Sequence, residues 1–125
     1  MTQQSSFSKL RNEKMHVFRD KMHKAESTED VKKFYADMML SIFNSVLGRD
    51  DPVRVEDVAL NPAAEEGYVF SDSLQERPLF QTAWNESDLP YIVQDFTQMA
   101  LNRYTHLQKN PEKTRSKIHH TDSKR

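Results

Sequence analysis

The sequence predicts an all-α fold: a three-helix bundle, completed in one version by dimerisation. Three stretches carry apolar residues at helical spacing, and both glycines and three of the five prolines fall between the second and third stretches. We therefore expect an irregular acidic segment between these helices and a disordered basic tail after the third. The predicted organisation is one helical domain over residues 1–108 and a tail over residues 109–125.

The first predicted helix spans about residues 8–24. Met15, Phe18 and Met22 follow one another by three and four residues, as in a short coiled-coil seam. The opposite face carries charged and histidine side chains, which indicates that it is exposed to solvent.

The second predicted helix spans about residues 28–47 and is the most apolar. Ser27 or Thr28 is a capping residue for its first amides, and Gly48 follows its last turn. Apolar side chains cover roughly two-thirds of its circumference, more than one neighbour covers. We expect at least two neighbouring elements, or one neighbour and a second protein chain. These side chains are Val31, Phe34, Tyr35, Met38, Met39, Ile42, Phe43, Val46 and Leu47.

Residues 48–88 are predicted to be an irregular acidic cover on the helices. They hold ten acidic and three basic residues, a net charge of −7. Two short apolar runs, around residues 53–60 and 68–70, leave a small hairpin open as an alternative. Leu79, Phe80 and Trp84 share one side of a short helix that begins near Pro78.

The third predicted helix spans about residues 89–108. Ser87 and Asp88 precede it as capping residues, and Pro90 is tolerated in a first turn. Arg103 falls on its apolar side and must either pair or extend to solvent. The tail that follows carries six basic residues, and Ile118 is its single aliphatic side chain.

No sequence motif specifies a reaction, a cofactor or a small-molecule substrate, so we do not expect an enzyme. The chain lacks cysteine, a phosphate-binding glycine loop and the motifs of serine hydrolases and zinc proteases. His16, Asp20 and His23 have the helical spacing of a weak zinc site, but their polar face is better interpreted as solvated. His119 and His120 in the tail have the same interpretation.

The function expected from these observations is non-enzymatic protein–protein interaction, as a regulator, adaptor or assembly factor. The partner is another protein or a second copy of the chain, and the expected contact residues are Phe34, Phe43, Leu47 and Trp84. The alternative is a nucleic-acid-associated accessory protein that uses the basic tail. No membrane span or signal segment is evident, so a cytoplasmic location is expected.

Overall fold

The computed structural model describes residues 6–48 and 50–109. These residues are mostly helical and also form one small sheet. Along the chain the elements are α1 (Ser8–Lys24), α2 (Thr28–Leu47), a 3-10 turn (Val55–Asp57), β1 (Val58–Leu60), β2 (Tyr68–Phe70), α3 (Asp72–Gln75), α4 (Pro78–Glu86) and α5 (Leu89–Lys109). The three long helices have the bounds expected from the sequence, except that α5 is one residue longer.

The three long helices pack against one another in pairs and enclose the main core. Between α1 and α5, the rings of Phe18 and Phe96 lie 5.3 Å apart and are both fully buried. Met15 and Met22 of α1 are also buried, so the seam expected from the sequence is the packing face of this helix.

Helix α2 begins and ends where its capping residues predict. The Ser27 hydroxyl accepts a hydrogen bond of 3.1 Å from the backbone amide of Asp30. At the other end Gly48 has a φ of +93°, a conformation that favours glycine, and its amide donates to the Asn44 carbonyl at 3.1 Å.

The wide apolar surface of α2 is covered from within the chain. This helix contacts α1, α5, β1, α4 and the 3-10 turn, and seven of its residues are buried. The expectation of at least two neighbours is therefore confirmed. A second protein chain is not needed to cover the helix, which removes the original reason for expecting a dimer. Phe34, Leu40, Val46 and Leu47 stay half-buried at the edges of this surface.

A buried hydroxyl pair joins α2 to α5. The Thr97 hydroxyl donates to the Val93 carbonyl at 2.7 Å, and its oxygen lies 2.6 Å from the hydroxyl of Tyr35. Because Thr97 has a single hydroxyl proton, the Tyr35 hydroxyl must be the donor of the second bond. Burial raises the pKa of Tyr35 well above its usual range, although the bond to Thr97 opposes this rise. The phenol is therefore a neutral donor across the ordinary pH range.

Residues 48–88 are not irregular throughout, because they contain the small hairpin that the sequence left open and the short helix expected near Pro78, which is α4. The segment forms a hairpin in which β1 and β2 are antiparallel, and Val58 and Leu60 of β1 are buried. The turn between the strands is closed by a bond of 2.8 Å from the Asn61 amide to the Gly67 carbonyl. Gly67 has a φ of +90°, and a Cβ added there would lie 2.8 Å from side-chain carbons of Thr97 and Leu101 on α5. The hairpin thus lies against α5 at a position where any larger residue would strain the backbone and displace side chains of α5.

Asp57 links the residues just before β1 to the residue just after β2 through hydrogen bonds. Its carboxylate accepts a bond of 3.0 Å from the Arg54 amide and one of 2.7 Å from the Ser71 hydroxyl. Partial burial tends to raise the pKa of Asp57, but these two bonds and the nearby Arg77 and Arg54 charges outweigh it and lower the pKa. The ionised carboxylate is therefore the form that stabilises the hairpin.

Two residues beyond α4 tie the ends of α1 to the rest of the fold. The α1 cap position, Phe7, has no capping side chain of its own, and its amide instead donates to the Asp88 carboxylate at 2.9 Å. Arg103 of α5 donates to the Ala25 carbonyl at 2.8 Å, just after the last turn of α1. Arg103 on the apolar side of α5 is thus paired, one of the two outcomes expected for it.

Candidate interaction groove

A cluster of five aromatic rings lies where the hairpin, α2 and α4 meet. Tyr68 and Phe70 stack with centroids 4.4 Å apart, because side chains two residues apart point to the same face of a strand. Phe80 and Trp84 stack at 5.3 Å, because residues four apart are neighbours on a helix. Phe43 packs edge-on against Phe70 and Phe80 from beneath. The local periodicities of β2 and α4 therefore create two stacked pairs, which meet over α2.

The half-buried members of this cluster, Tyr68 and Trp84, line two adjoining clefts. One cleft of about 480 Å³ lies between β2 and α4, and a second of about 670 Å³ lies between the hairpin turn, the end of α4 and α5. The two share Glu66, Tyr68, Trp84 and Asn85 as lining residues. We call the two clefts together the interaction groove.

The interaction groove combines apolar walls with acidic side chains. Its exposed apolar surface comes from Val69, 47% exposed, and from Tyr91, whose side chain in the first turn of α5 is 72% exposed. Glu65, Glu66 and Asp88 contribute the charge. Among the described residues that line the groove there is no lysine, arginine or histidine.

The Glu66 carboxylate interacts electrostatically with the Tyr68 hydroxyl in the groove. Burial and the Glu66 carboxylate both raise the pKa of the Tyr68 hydroxyl. Neither Glu65 nor Glu66 forms an ion pair with any residue that the structure describes. Asp88 differs, since it holds the Phe7 amide. The two glutamates are therefore the carboxylates that remain for a ligand.

The four contact residues expected from the sequence have different positions. Trp84 lines the groove. Phe43 is fully buried beneath it, so its ring is not accessible to a partner in this conformation. Phe34 is half-buried on α2, with the Lys21 ammonium 5.3 Å from its ring centroid. Leu47 is half-buried at the end of α2, and neither Phe34 nor Leu47 lines the groove.

Sequence reasoning missed Tyr91 as a groove residue. The signal was present, because Leu89, Ile92 and Val93 are the buried stripe of α5 and Tyr91 falls outside it. An aromatic residue off the apolar stripe of a helix is a candidate for contact with a ligand.

A separate, smaller pocket lies between α1 and α5, and its charged side chains are positive, unlike those of the groove. It measures about 320 Å³. Arg103 forms part of it, and the Nε of this residue is buried without a hydrogen-bond partner among the described residues. Its lining residues are Arg19, Met22, His23, Met99, Asn102, Arg103 and His106.

The remaining candidate chemistry does not assemble into a site. No group of three or more histidine or acidic side chains suited to a metal ion occurs in residues 6–48 and 50–109. Asp20, considered with His16 and His23 as a zinc site, forms an ion pair of 3.1 Å with Lys24. The basic tail beyond Lys109, including His119 and His120, lies outside the described residues.

Comparison with known protein families, with curated proteins and with solved structures found no match for this chain. No helix of the described ranges is both long enough and apolar enough to span a bilayer.

Proposed function

We propose that this chain is a small non-enzymatic interaction protein that binds a segment of another protein in the interaction groove. The observation that carries the proposal is the meeting of two clefts at Tyr68 and Trp84, beside the exposed ring of Tyr91. Aromatic side chains are enriched at the centres of protein interfaces, because they bury large areas with few rotatable bonds.

The architecture around the groove supports this proposal. The rings are held by stacking and edge-on contacts, and the turn that lines the second cleft is pressed onto α5 through Gly67. A groove that is already formed loses little conformational entropy when a ligand binds. The groove also combines aromatic and aliphatic side chains with acidic ones, a mixture that suits a protein interface.

Site-specific photo-crosslinking in the source cells tests the proposal. A photoreactive benzoylphenylalanine replaces Tyr91 in the groove or, as a control, Val17, which is 50% exposed on α1. We expect a discrete protein adduct from position 91 that is absent from position 17 and lost when Trp84→Ala is added. Identical adduct patterns from the two positions, or no adduct from position 91, would contradict the proposal.

Self-association, the other form of interaction expected from the sequence, stays a prediction. It no longer follows from the α2 surface, and sedimentation equilibrium measures it directly. A dimer that persists when both Tyr91→Ala and Trp84→Ala are present would place the contact elsewhere, for example at half-buried Phe34 or at half-buried Leu47 on α2.

A further inference from the structure

We infer that the segment bound in the interaction groove carries a lysine or arginine side chain, which lies against Tyr68 and Trp84 and pairs with Glu66. This inference rests on the proposed function, because it names the chemistry of the segment that the groove takes.

The two rings are the first argument. Tyr68 and Trp84 line both clefts, their centroids are 6.4 Å apart, and their planes are inclined by 76°. A cation within about 6 Å of the centroid of such a ring is attracted by its π electrons, most strongly for tryptophan and arginine. A side chain that enters where the clefts join therefore lies beside both aromatic rings.

The distribution of charge is the second argument. Three carboxylates and no cationic side chain line the groove within the described chain, and the segment from Gly48 to Asp88 has a net charge of −7. A concave surface lined by one sign of charge attracts the opposite sign. Glu66 is the carboxylate common to both clefts, so it is the natural partner of a cation placed between the rings.

The apolar walls favour a segment of another protein over the chain's own basic end. Val69, Pro90 and Leu101 line the groove on either side of the rings, so a well-matched ligand has apolar side chains next to its cation. Residues 110–125 are basic, yet Ile118 is their single aliphatic side chain. We therefore assign the groove to a partner segment with a basic residue between apolar residues.

Peptide selection against the full-length protein tests this assignment. A displayed library of random dodecapeptides is enriched on the protein after depletion on its Trp84→Ala variant. Trp84 is the single tryptophan of the chain, so its emission then reports the binding of tryptophan-free synthetic peptides directly. We expect enriched peptides with a lysine or arginine between apolar residues, and about three- to fivefold weaker binding when norleucine replaces that lysine or arginine.

Charge variants of the protein give the matched comparison. Glu66→Gln keeps the size of the side chain, and we expect it to weaken these peptides about three- to fivefold. Glu56→Gln removes an equal charge from an exposed residue that does not line the groove, and it should leave their affinity unchanged. Because Trp84→Ala removes a ring that stacks on Phe80, Tyr91→Ala is a second binding-deficient variant, at an exposed position that should not affect folding.

The other outcomes distinguish failure of the cation inference from failure of the proposed groove function. Peptides that depend on Trp84 and Tyr91 but neither contain a cation nor respond to Glu66→Gln would overturn the inference and leave the groove's function standing. A selection without any peptide that depends on those rings would overturn both. If the combined substitutions Lys113→Gln, Arg115→Gln and Lys117→Gln alter Trp84 emission in the absence of peptide, the occupant is the chain's own basic segment, and the partner assignment is overturned.

Discussion

Replacing Thr97 by valine should destabilise the fold more than replacing Tyr35 by phenylalanine, although both changes remove the same hydrogen bond. Tyr35 is fully buried and Thr97 is 2% exposed, so water cannot replace a lost partner at either residue. In Tyr35→Phe the donor disappears, and the Thr97 hydroxyl still donates to the Val93 carbonyl. In Thr97→Val the Tyr35 hydroxyl stays in the core without an acceptor.

The magnitudes follow from this difference. Loss of an ordinary buried hydrogen bond costs about 1 kcal/mol, which is the value expected for Tyr35→Phe. A buried donor left without a partner costs about 1–3 kcal/mol, so we expect about 2 kcal/mol for Thr97→Val. The double variant leaves no orphaned donor, and its cost should be near 1 kcal/mol rather than the sum of the two single costs.

Urea unfolding, followed by Trp84 emission and by circular dichroism, measures these free energies. With a slope of about 2 kcal/mol per molar urea, Thr97→Val should lower the midpoint by about 1 M and Tyr35→Phe by about half of that. Thr105→Val is the matched control, since Thr105 is exposed on the same helix, and its effect should stay within about 0.5 kcal/mol. Additive single costs, or a larger cost for Tyr35→Phe than for Thr97→Val, would refute the assigned direction of the bond.

Three further predictions concern the hairpin and the start of α1. Gly67→Ala should destabilise the fold by about 1–3 kcal/mol more than Gly48→Ala, because both have positive φ but only the added Cβ at Gly67 meets side chains of α5, and urea midpoints compare the two. The lowered pKa of Asp57 means that its stabilising effect is present above the ordinary pKa of about 3.8 and is lost as the pH falls through the lower pKa of the folded state. Asp57→Asn should therefore flatten the acid side of the stability–pH curve, whereas an unchanged curve would show that the carboxylate contributes nothing. Asp88→Ala should cost about 1 kcal/mol and speed hydrogen exchange at the Phe7 amide, and exchange as slow as in the parent protein would contradict the assigned cap.

The long helices were predictable because their signals are local. The seam of α1, the cap at Ser27 and the glycine after Leu47 each lie within a few residues of the element that they define. These signals depend on backbone geometry over one or two turns, so they can be interpreted without knowing how distant parts of the chain pack.

The hairpin was left open because its determinants are distant in sequence. Each strand has three residues, which is too short to separate the period of a strand from that of a helix. What holds the turn in place is the approach of Gly67 to Thr97 and Leu101, about thirty residues further along the chain. A contact of that range leaves no trace in local periodicity.

Only part of the groove could be predicted from the sequence, because its other walls are brought together by contacts between residues that are distant in the chain. Trp84, which the sequence analysis expected to be a contact residue, lines the groove, and its position there follows from its place on α4. Phe43 belongs to the same wide apolar arc as Phe34, and only the placement of β2 and α4 decides that Phe43 is buried while Phe34 keeps an edge exposed.

The cap that Asp88 provides for α1 also determines when the fold can close during synthesis. The Phe7 amide receives its acceptor from a residue 81 positions later, and α1 and α2 both pack on α5. At roughly 5–20 residues per second, about 3–12 s separate the addition of Leu47 from that of Lys109. Until α5 is made, the apolar surface of α2 lacks the part of its cover that α5 supplies, so the newly made first half exposes more apolar surface to other chains and to chaperones than the complete fold does.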